Sequence, residues 1–316
     1  MIQSPVKLTI ALMAYDHVYE IRGRDTDYEI RSGAVEIAGL APTWVDLPAP
    51  HSFERFADNR EWDISDVPLA EYAQRRLAGD TRITALPIFT SRRFLHDSIA
   101  VRRDRIARPA DLRGARIAVP ERDLTECLYV RGMLAEMYGL GSNDARWVPV
   151  DDSGMVALLK SGKVDAAIAP PHRLPIGGDM TGVGRLFPRP GDAERAALKK
   201  TGVFPILRAL AVRTELLQNH RWLASNLYRA FEVARRRYFA RLDDIRASRV
   251  PIPAVDGHMR TIREAFGGEF WPYGLAANKA TLTAFLRYGS QQGLFPQNAG
   301  EATKLFGHVE EFVDKY

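Results

Sequence analysis

The sequence predicts an α/β protein of two lobes with a ligand cleft between them, on three observations. Strand-like apolar runs alternate with helix-like ones through the middle of the chain, the pattern of a parallel sheet. Its 316 residues exceed one small core and suit two medium domains. The stretch Leu86 to Leu134 reads LPIFTSRRFLHDSIAV and, after a basic linker, LRGARIAVPERDLTECLYVRGML. It sets a strand with polar tips, Ser91, Arg92, His96, Asp97 and Ser98, just before a strand-turn-helix unit. Ligands of open α/β sheets sit beyond the carboxyl ends of strands, where loops meet helix N-termini.

In chain order, Val6 to Met13 carries alternating and β-branched residues, a first strand ending in Tyr15, Asp16 and His17. A hairpin-like segment from Gly33 to Pro50 follows. A helix is expected over Ser52 to Asn59, then a short strand, Trp62 to Ser65, and a helix over Pro68 to Leu77. Pro68 suits a first helical turn, where a missing N–H costs nothing. Thr84 to Phe89 and Ser98 to Val101 supply further strands, and the basic segment with Pro109 reads as a crossing linker. The second lobe continues with a helix over Leu124 to Tyr138, a strand over Arg146 to Val150, a helix over Gly154 to Ser161 and a strand over Asp165 to Ala169. The chain returns near Val203 to Val212 and ends in helices over Trp222 to Arg241, Val255 to Ala265 and Ala280 to Gln291. The expected lobes are therefore residues 1–101 plus 208–316, and 102–207, with the two crossings forming a hinge. No internal repeat or low-complexity tract interrupts the pattern.

Composition narrows the function. Hydrophobic residues at 46% and charged residues at 26% describe a folded globular chain rather than a disordered or collagen-like one. A net charge of +5 is modest and suits small anionic ligands. The basic run ARRRYFAR, Ala234 to Arg241, reads as a solvated helix face rather than a nucleic-acid surface. The single cysteine, Cys127, excludes internal disulfides and cysteine-based metal clusters, and reads as a packing residue. Leu8 to Ala14 is strand length and is cut short by Tyr15, Asp16 and His17, so neither a signal peptide nor a membrane span is read there, and a cytoplasmic location is expected.

Three motifs occur together: F-x-S-R-x-F-x-H-x-S-I at Phe89 to Ile99, V-P-E with a later T and V-R-G at Val119 to Gly132, and EFWPYGLAANKATLTAFLRYGSQQGL from Glu269. In this combination and order the chain resembles the 4,5-dihydroxyphthalate decarboxylase family. The likeness covers most of the chain and is weakest at Gly23 to Pro50 and Asp151 to Pro188. It implies a type II periplasmic-binding-protein-like fold and the non-oxidative loss of CO₂ from a hydroxylated aromatic acid, without an organic cofactor. Such chemistry needs a general acid facing the ring carbon, groups that polarise or deprotonate the phenol, and cationic or N–H donors for any retained carboxylate.

His96 matches the family histidine and is the first candidate for proton transfer, with a structural histidine as the equal alternative. Asp16 and Glu121 are the other candidate acids or bases. Arg92 can grip a carboxylate bidentately. Ser91, His17, Ser65, Thr125, Arg131 and His172 complete the candidate substrate contacts. Capping of the following helix is the favoured reading for Ser65 with Asp66, and a structural role is favoured for Arg131.

Departures from the family pattern bear on the substrate. His17 stands where the family has D-R, Leu95 within F-R-H, and His172 within A-P-R, so three cationic contacts are reduced. The segment DVPLAEY, Asp66 to Tyr72, replaces a serine-rich one. These changes make a monocarboxylate such as a hydroxybenzoate an alternative to a dianionic phthalate. No cofactor is expected: the seven histidines show no HxH, HxxxH or HExxH spacing, and no glycine-rich nucleotide loop occurs. A divalent ion held by His17, His96 and His172 is the alternative. The expected partner is a small aromatic carboxylate, not nucleic acid or a membrane, and a homo-oligomer is compatible. A two-lobed binding protein that closes on an aromatic acid without chemistry is the competing reading, since fold alone does not separate the two.

Overall fold

A computed structural model gives the structure of the protein at residues 4–13, 35–46, 52–120, 124–150, 154–168, 181–243 and 255–306. Strand β1 (Val6–Leu12) buries Leu8, Ile10, Ala11 and Leu12, so both of its faces are covered and it sits inside a sheet. Strand β2 (Leu40–Asp46) runs parallel to it, with Val6 opposite Leu40. The described part of the expected hairpin from Gly33 to Pro50, residues 35–46, thus holds a single strand paired in parallel with β1, whereas hairpin partners are antiparallel. Gly39 enters β2 at φ 80°, where the Trp222 indole lies 3.2 Å from the site of a Cβ, so a side chain there is both strained and crowded.

Helix α1 (Ser52–Ala57) buries Phe53 and Phe56 and leads to β3 (Ile64–Pro68) and α2 (Leu69–Leu77). Pro68 closes the strand and stands at the helix N-cap rather than within the first turn. Strand β4 (Ile83–Ala85) follows. The stretch expected as one polar-tipped strand is instead β5 (Ser91–Arg92), a 3-10 turn at His96–Ser98 and β6 (Ile99–Arg102). Local bonds win there: the Arg93 guanidinium donates to Ser98 Oγ and the Ser98 N–H to the Leu95 carbonyl, in competition with a ladder.

Then come β7 (Arg116–Pro120), α3 (Leu124–Tyr138), β8 (Arg146–Val150), α4 (Met155–Lys160) and β9 (Ala166–Ile168). Strand β10 (Val183–Arg185) and helix α5 (Pro190–Thr201), which periodicity did not reveal, precede β11 (Ile206–Arg213). Pro190 opens α5, and Gly202 ends it at φ 67°, a left-handed cap that suits glycine. Helices α6 (Thr214–Asn219), α7 (Leu223–Asp243), α8 (Val255–Phe266), α9 (Lys279–Gln291) and α10 (Thr303–Phe306) complete the described chain.

Among the described residues two sheets form, and both are mixed rather than purely parallel. One has the order β2-β1-β3-β11-β4, with β5 also paired to β11. In it β11 lies antiparallel between β3 and β4, with Ala211 opposite both Ser65 and Ala85. The other has the order β10-β6-β9-β7-β8, parallel at β7 with β8 and β9, antiparallel where β6 meets β9 and β10.

The chain divides into two compact units, residues 1–91, 208–279 and 301–316, and residues 92–207 with 280–300. This differs from the expected division at two places. Residues 92–101 join the second unit because β6 pairs within its sheet, and 280–300 join it because α9 packs there, with the Phe285 ring 5.7 Å from that of Tyr129. The second unit has a core of Ala100, Ala118, Met155, Leu159, Ala167 and Val183 beneath its sheet. In the first unit Phe56, Phe231, Ile10, Leu12, Ile64 and Leu69 are fully buried, each contributing about 1.5–3 kcal/mol relative to exposure.

Two charged residues behave unlike their sequence reading. Asp66 and Ser65 lie within β3 and do not cap α2. The Asp66 carboxylate, fully buried, pairs with the guanidinium of Arg208 on β11, which also donates to the Asp66 carbonyl at 3.0 Å. In the run from Ala234, Arg236 and Arg237 are exposed, but Arg235 is 3% exposed and held by Glu232 and Glu269, so the run is not simply a solvated face.

Candidate functional site

His96 opens the 3-10 turn between β5 and β6 and is buried, 3% exposed. Its ring meets Phe187 edge-on at 5.1 Å and Phe94 at 6.4 Å. Neither ring nitrogen has a hydrogen-bond partner among the described residues. Burial lowers its pKa from 6.5 to about 4, so at neutral pH it is an uncharged imidazole with one lone pair available to accept a proton. It lines a largely apolar cavity of about 30 Å³ together with Phe94, Leu95, Tyr129, Met133 and Tyr288. That volume suits about one water, and an aromatic ring would need the walls to move. Met133 and Met137, unbranched and adaptable, are the wall residues best able to do so.

The cavity lies wholly within the second unit. Helix α3 supplies one wall through a four-residue spacing that places Thr125, Tyr129, Met133 and Met137 on one face. Tyr129 is fully buried, and its hydroxyl accepts the Ile206 N–H at 3.4 Å. Burial raises its pKa, partly opposed by the positive charge of Arg92. Arg92, 6% exposed, stacks its guanidinium 4.6 Å over the Phe204 ring and donates to the Phe204 carbonyl at 2.9 Å. The Phe204 ring in turn packs 4.8 Å from Phe94. A buried cation, a buried neutral imidazole and a buried phenol are thereby gathered among aromatic rings.

A polar cluster flanks the turn. Arg93 bonds Ser98 and lies 3.8 Å from the Asp97 carboxylate. Burial, and then the charge of Asp97, pushes the Glu194 carboxyl on α5 upward.

The remaining sequence candidates fall in several places. Thr125 is buried in the first turn of α3, on the Tyr129 face. Ser91 is half-buried on β5, next to Arg92. Ser65 belongs to the first unit, where its hydroxyl donates to the Ala11 carbonyl at 3.0 Å across the β1–β3 pair. Arg131, two residues round the helix from Tyr129 and so on the opposite side, lies 4.3 Å over the Trp147 ring on β8, and burial lowers its pKa. Asp16, His17, Glu121 and His172 lie outside the described residues. Sequence reasoning missed Tyr129, Phe204, Tyr288 and Glu194. The four-residue stripe on α3 was a legible signal for Tyr129, whereas the others come from distant segments. Among the described residues no three His, Cys, Asp or Glu side chains converge as a metal site, and no helix is long and apolar enough to cross a membrane.

Comparison with known proteins places this chain in a family. No family model matches the chain. It is 32% identical over 317 aligned residues to a 4,5-dihydroxyphthalate decarboxylase of Comamonas testosteroni, covering 92% of this chain and 93% of that protein. A 4,5-dihydroxyphthalate decarboxylase of Pseudomonas putida is 39% identical over 117 residues, 37% of this chain and 45% of the other. In structure the chain is similar to the periplasmic aliphatic sulphonate binding protein SsuA from Escherichia coli, with a TM-score of 0.57 and 13% identity over 98% of this chain and 100% of that one. The fold is that of the type II periplasmic binding proteins.

Proposed function

Because the chain belongs to the 4,5-dihydroxyphthalate decarboxylase family, we propose that it is a carboxy-lyase that removes CO₂ from a hydroxylated aromatic acid without oxidation. The observation that supports a chemical role for His96 is its burial with both ring nitrogens unbonded among the described residues. An imidazole whose nitrogens no described protein group engages keeps both for whatever occupies the cavity beside it.

A neutral imidazole holds a lone pair for the proton, and because burial also weakens it as a base, the transfer needs a cation such as Arg92 to stabilise the phenolate. In this reading His96 takes the proton of a ring hydroxyl para to a carboxylate. The phenolate so formed pushes electron density to the carbon bearing that carboxylate, and that carbon accepts a proton. The bond to the carboxyl carbon then breaks, its electron pair restores the aromatic ring, and CO₂ leaves. The phenolate product takes its proton back from the His96 imidazolium, so the balance is one proton taken up, at the ring carbon, and one CO₂ released per turnover. Asp16 and Glu121 are the sequence candidates for the acid at the ring carbon. The apolar walls of the cavity favour loss of charge from the departing carboxylate, and Arg92 is the candidate cation for the phenolate or for a retained carboxylate.

Leu95 supports a substrate with fewer charges than a phthalate. It is buried in the same cavity as His96, at a position where the family resemblance leads one to expect arginine. We therefore rank hydroxybenzoates beside 4,5-dihydroxyphthalate as substrates.

The test is CO₂ release, with products identified by mass spectrometry, from metal-stripped protein given 4,5-dihydroxyphthalate and a panel of hydroxybenzoates. Release, lost in His96→Ala, is the expected result. Strong turnover of the phthalate alone would overturn the monocarboxylate reading. Ligand binding without CO₂, even after divalent metal is restored, would replace the enzyme by a binding protein.

A further inference from the structure

In the first unit, far along the chain from His96, α7, the end of α8 and the segment Gly268–Trp271 enclose a second concavity of about 360 Å³. This volume falls within the roughly 300–1,000 Å³ typical of small-molecule pockets. Its apolar part is aromatic. Phe239 packs edge-on to Phe270 at 4.8 Å and lies 6.4 Å from Trp271, and all three rings are half-buried rather than sealed in the core. Half-exposed aromatic rings in contact present π-faces that water solvates poorly.

Its polar part is rich in guanidinium groups, three in the lining, whose charge two lining carboxylates and Glu232 behind them balance. The lining carries the guanidinium groups of Arg235, Arg236 and Arg263 against the carboxylates of Asp243 and Glu269. Arg235 is buried beneath and satisfied by Glu232 and Glu269. The other two keep donors in reserve. Arg236 commits its Nε to Glu232 at 2.6 Å, and Arg263 commits one terminal nitrogen to Asp243, which leaves each with further N–H groups unbonded among the described residues. The pocket is also built rather than incidental. Gly267 and Gly268 turn the chain at φ 70° and 125°, conformations suited to glycine, and the Gly268 N–H donates to the Arg263 carbonyl at 2.9 Å. That turn brings Glu269, Phe270 and Trp271 back over α7.

We infer that this concavity is a binding site for a small planar aromatic carboxylate, separate from the His96 cavity, with the ring on Phe239, Phe270 and Trp271 and the carboxylate on Arg236 and Arg263. Guanidinium forks match carboxylates in geometry and charge, and offset rings favour a planar aromatic guest. The inference does not rest on the decarboxylase reading, because binding here requires no turnover and no residue of the second unit.

Calorimetry with benzoate as probe tests it in the His96→Ala chain as well as the wild type, and the emission change that is lost in Trp271→Phe, one of five tryptophans, is the local reporter. The wild-type chain is expected to show saturable binding that perturbs Trp271 emission. Arg236→Ala should weaken it about tenfold, and Arg236→Ala with Arg263→Ala should abolish it while circular dichroism and CO₂ release stay unchanged. His96→Ala should retain it. Benzamide, of similar shape but uncharged, should bind at least about tenfold more weakly. No saturation by benzoate, equal affinity for benzamide, or wild-type affinity in the arginine variants would each overturn the site.

Discussion

The ring of Tyr288 on α9 lies directly against Gly132 on α3, so closely that a Cβ at position 132 would overlap it. The Tyr288 hydroxyl donates to the Glu136 carboxylate one turn further along α3, and Arg287 donates to the same carboxylate at 2.9 Å. Close helix approach and a polar clamp thus lock residues 280–300 to the second unit.

Two effects oppose each other in Gly132→Ala. Alanine is favoured over glycine in a helix by about 1 kcal/mol, whereas overpacking costs about 1–3 kcal/mol. The overlap is with a ring held at its hydroxyl end, so strain should win. The expected result is a lower urea midpoint with an unchanged slope, and greater stability than wild type would mean that the ring swings aside freely.

His96 should couple stability to pH. Its imidazole takes a proton near pH 6.5 when unfolded and near 4 when folded. Between those values the unfolded chain holds more protons, so stability falls as pH drops through that window, by on the order of 3 kcal/mol in all. His96→Leu removes a buried group with neither ring nitrogen bonded among the described residues. It should be at least as stable as wild type at pH 7, lose the dependence between pH 4 and 6.5, and lose turnover. Equilibrium unfolding across pH reads this directly, and an undiminished slope in the variant would assign the titration to another group.

Breaking the Asp66–Arg208 pair should be among the costliest changes in the first unit. Arg208→Met leaves the carboxylate buried, with the Met13 N–H at 3.4 Å as one remaining donor, and should destabilise by about 3–5 kcal/mol. The double variant Asp66→Leu with Arg208→Met should recover much of that loss. A double-mutant cycle in guanidinium chloride measures both, and additive losses would show that the two residues act independently.

Adjacent arginines on α7 should differ sharply. Arg235→Met strips Glu232 of its buried partner and should cost several kcal/mol, about 3 as an estimate, whereas Arg236→Ala should lie within about 0.5 kcal/mol of wild type. Thermal midpoints of the two variants provide the check.

Elements with strong local signals were readable without coordinates. The α3 limits, Leu124 to Tyr138, and those of β8, Arg146 to Val150, match their periodic runs residue for residue. The polar segment from Ser91 to Ser98 misled, because side chains that bond their own backbone neighbourhood resemble a strand tip in sequence while closing a turn in space. His96 and Arg92 stood out in the sequence as candidates, on their neighbours and on the family resemblance, and the structure buries both. Their partners Phe204 and Tyr288 were not, since they lie 112 residues from Arg92 and on a helix assigned to the other lobe.

The amino-acid sequence by itself determined the α/β class, most helices and strands, and the kinship to a decarboxylase family, because periodicity, turn residues and motif order are local or cumulative signals. Only the tertiary structure decided that β11 inserts antiparallel between β3 and β4, that α9 belongs to the second unit, and that Arg235 is buried while Arg236 is not. Each of these depends on which distant surfaces meet, and on the low dielectric that meeting creates. A strand's own residues can set its pleat but not its neighbour, and a charge cannot show in sequence whether water or a carboxylate will surround it.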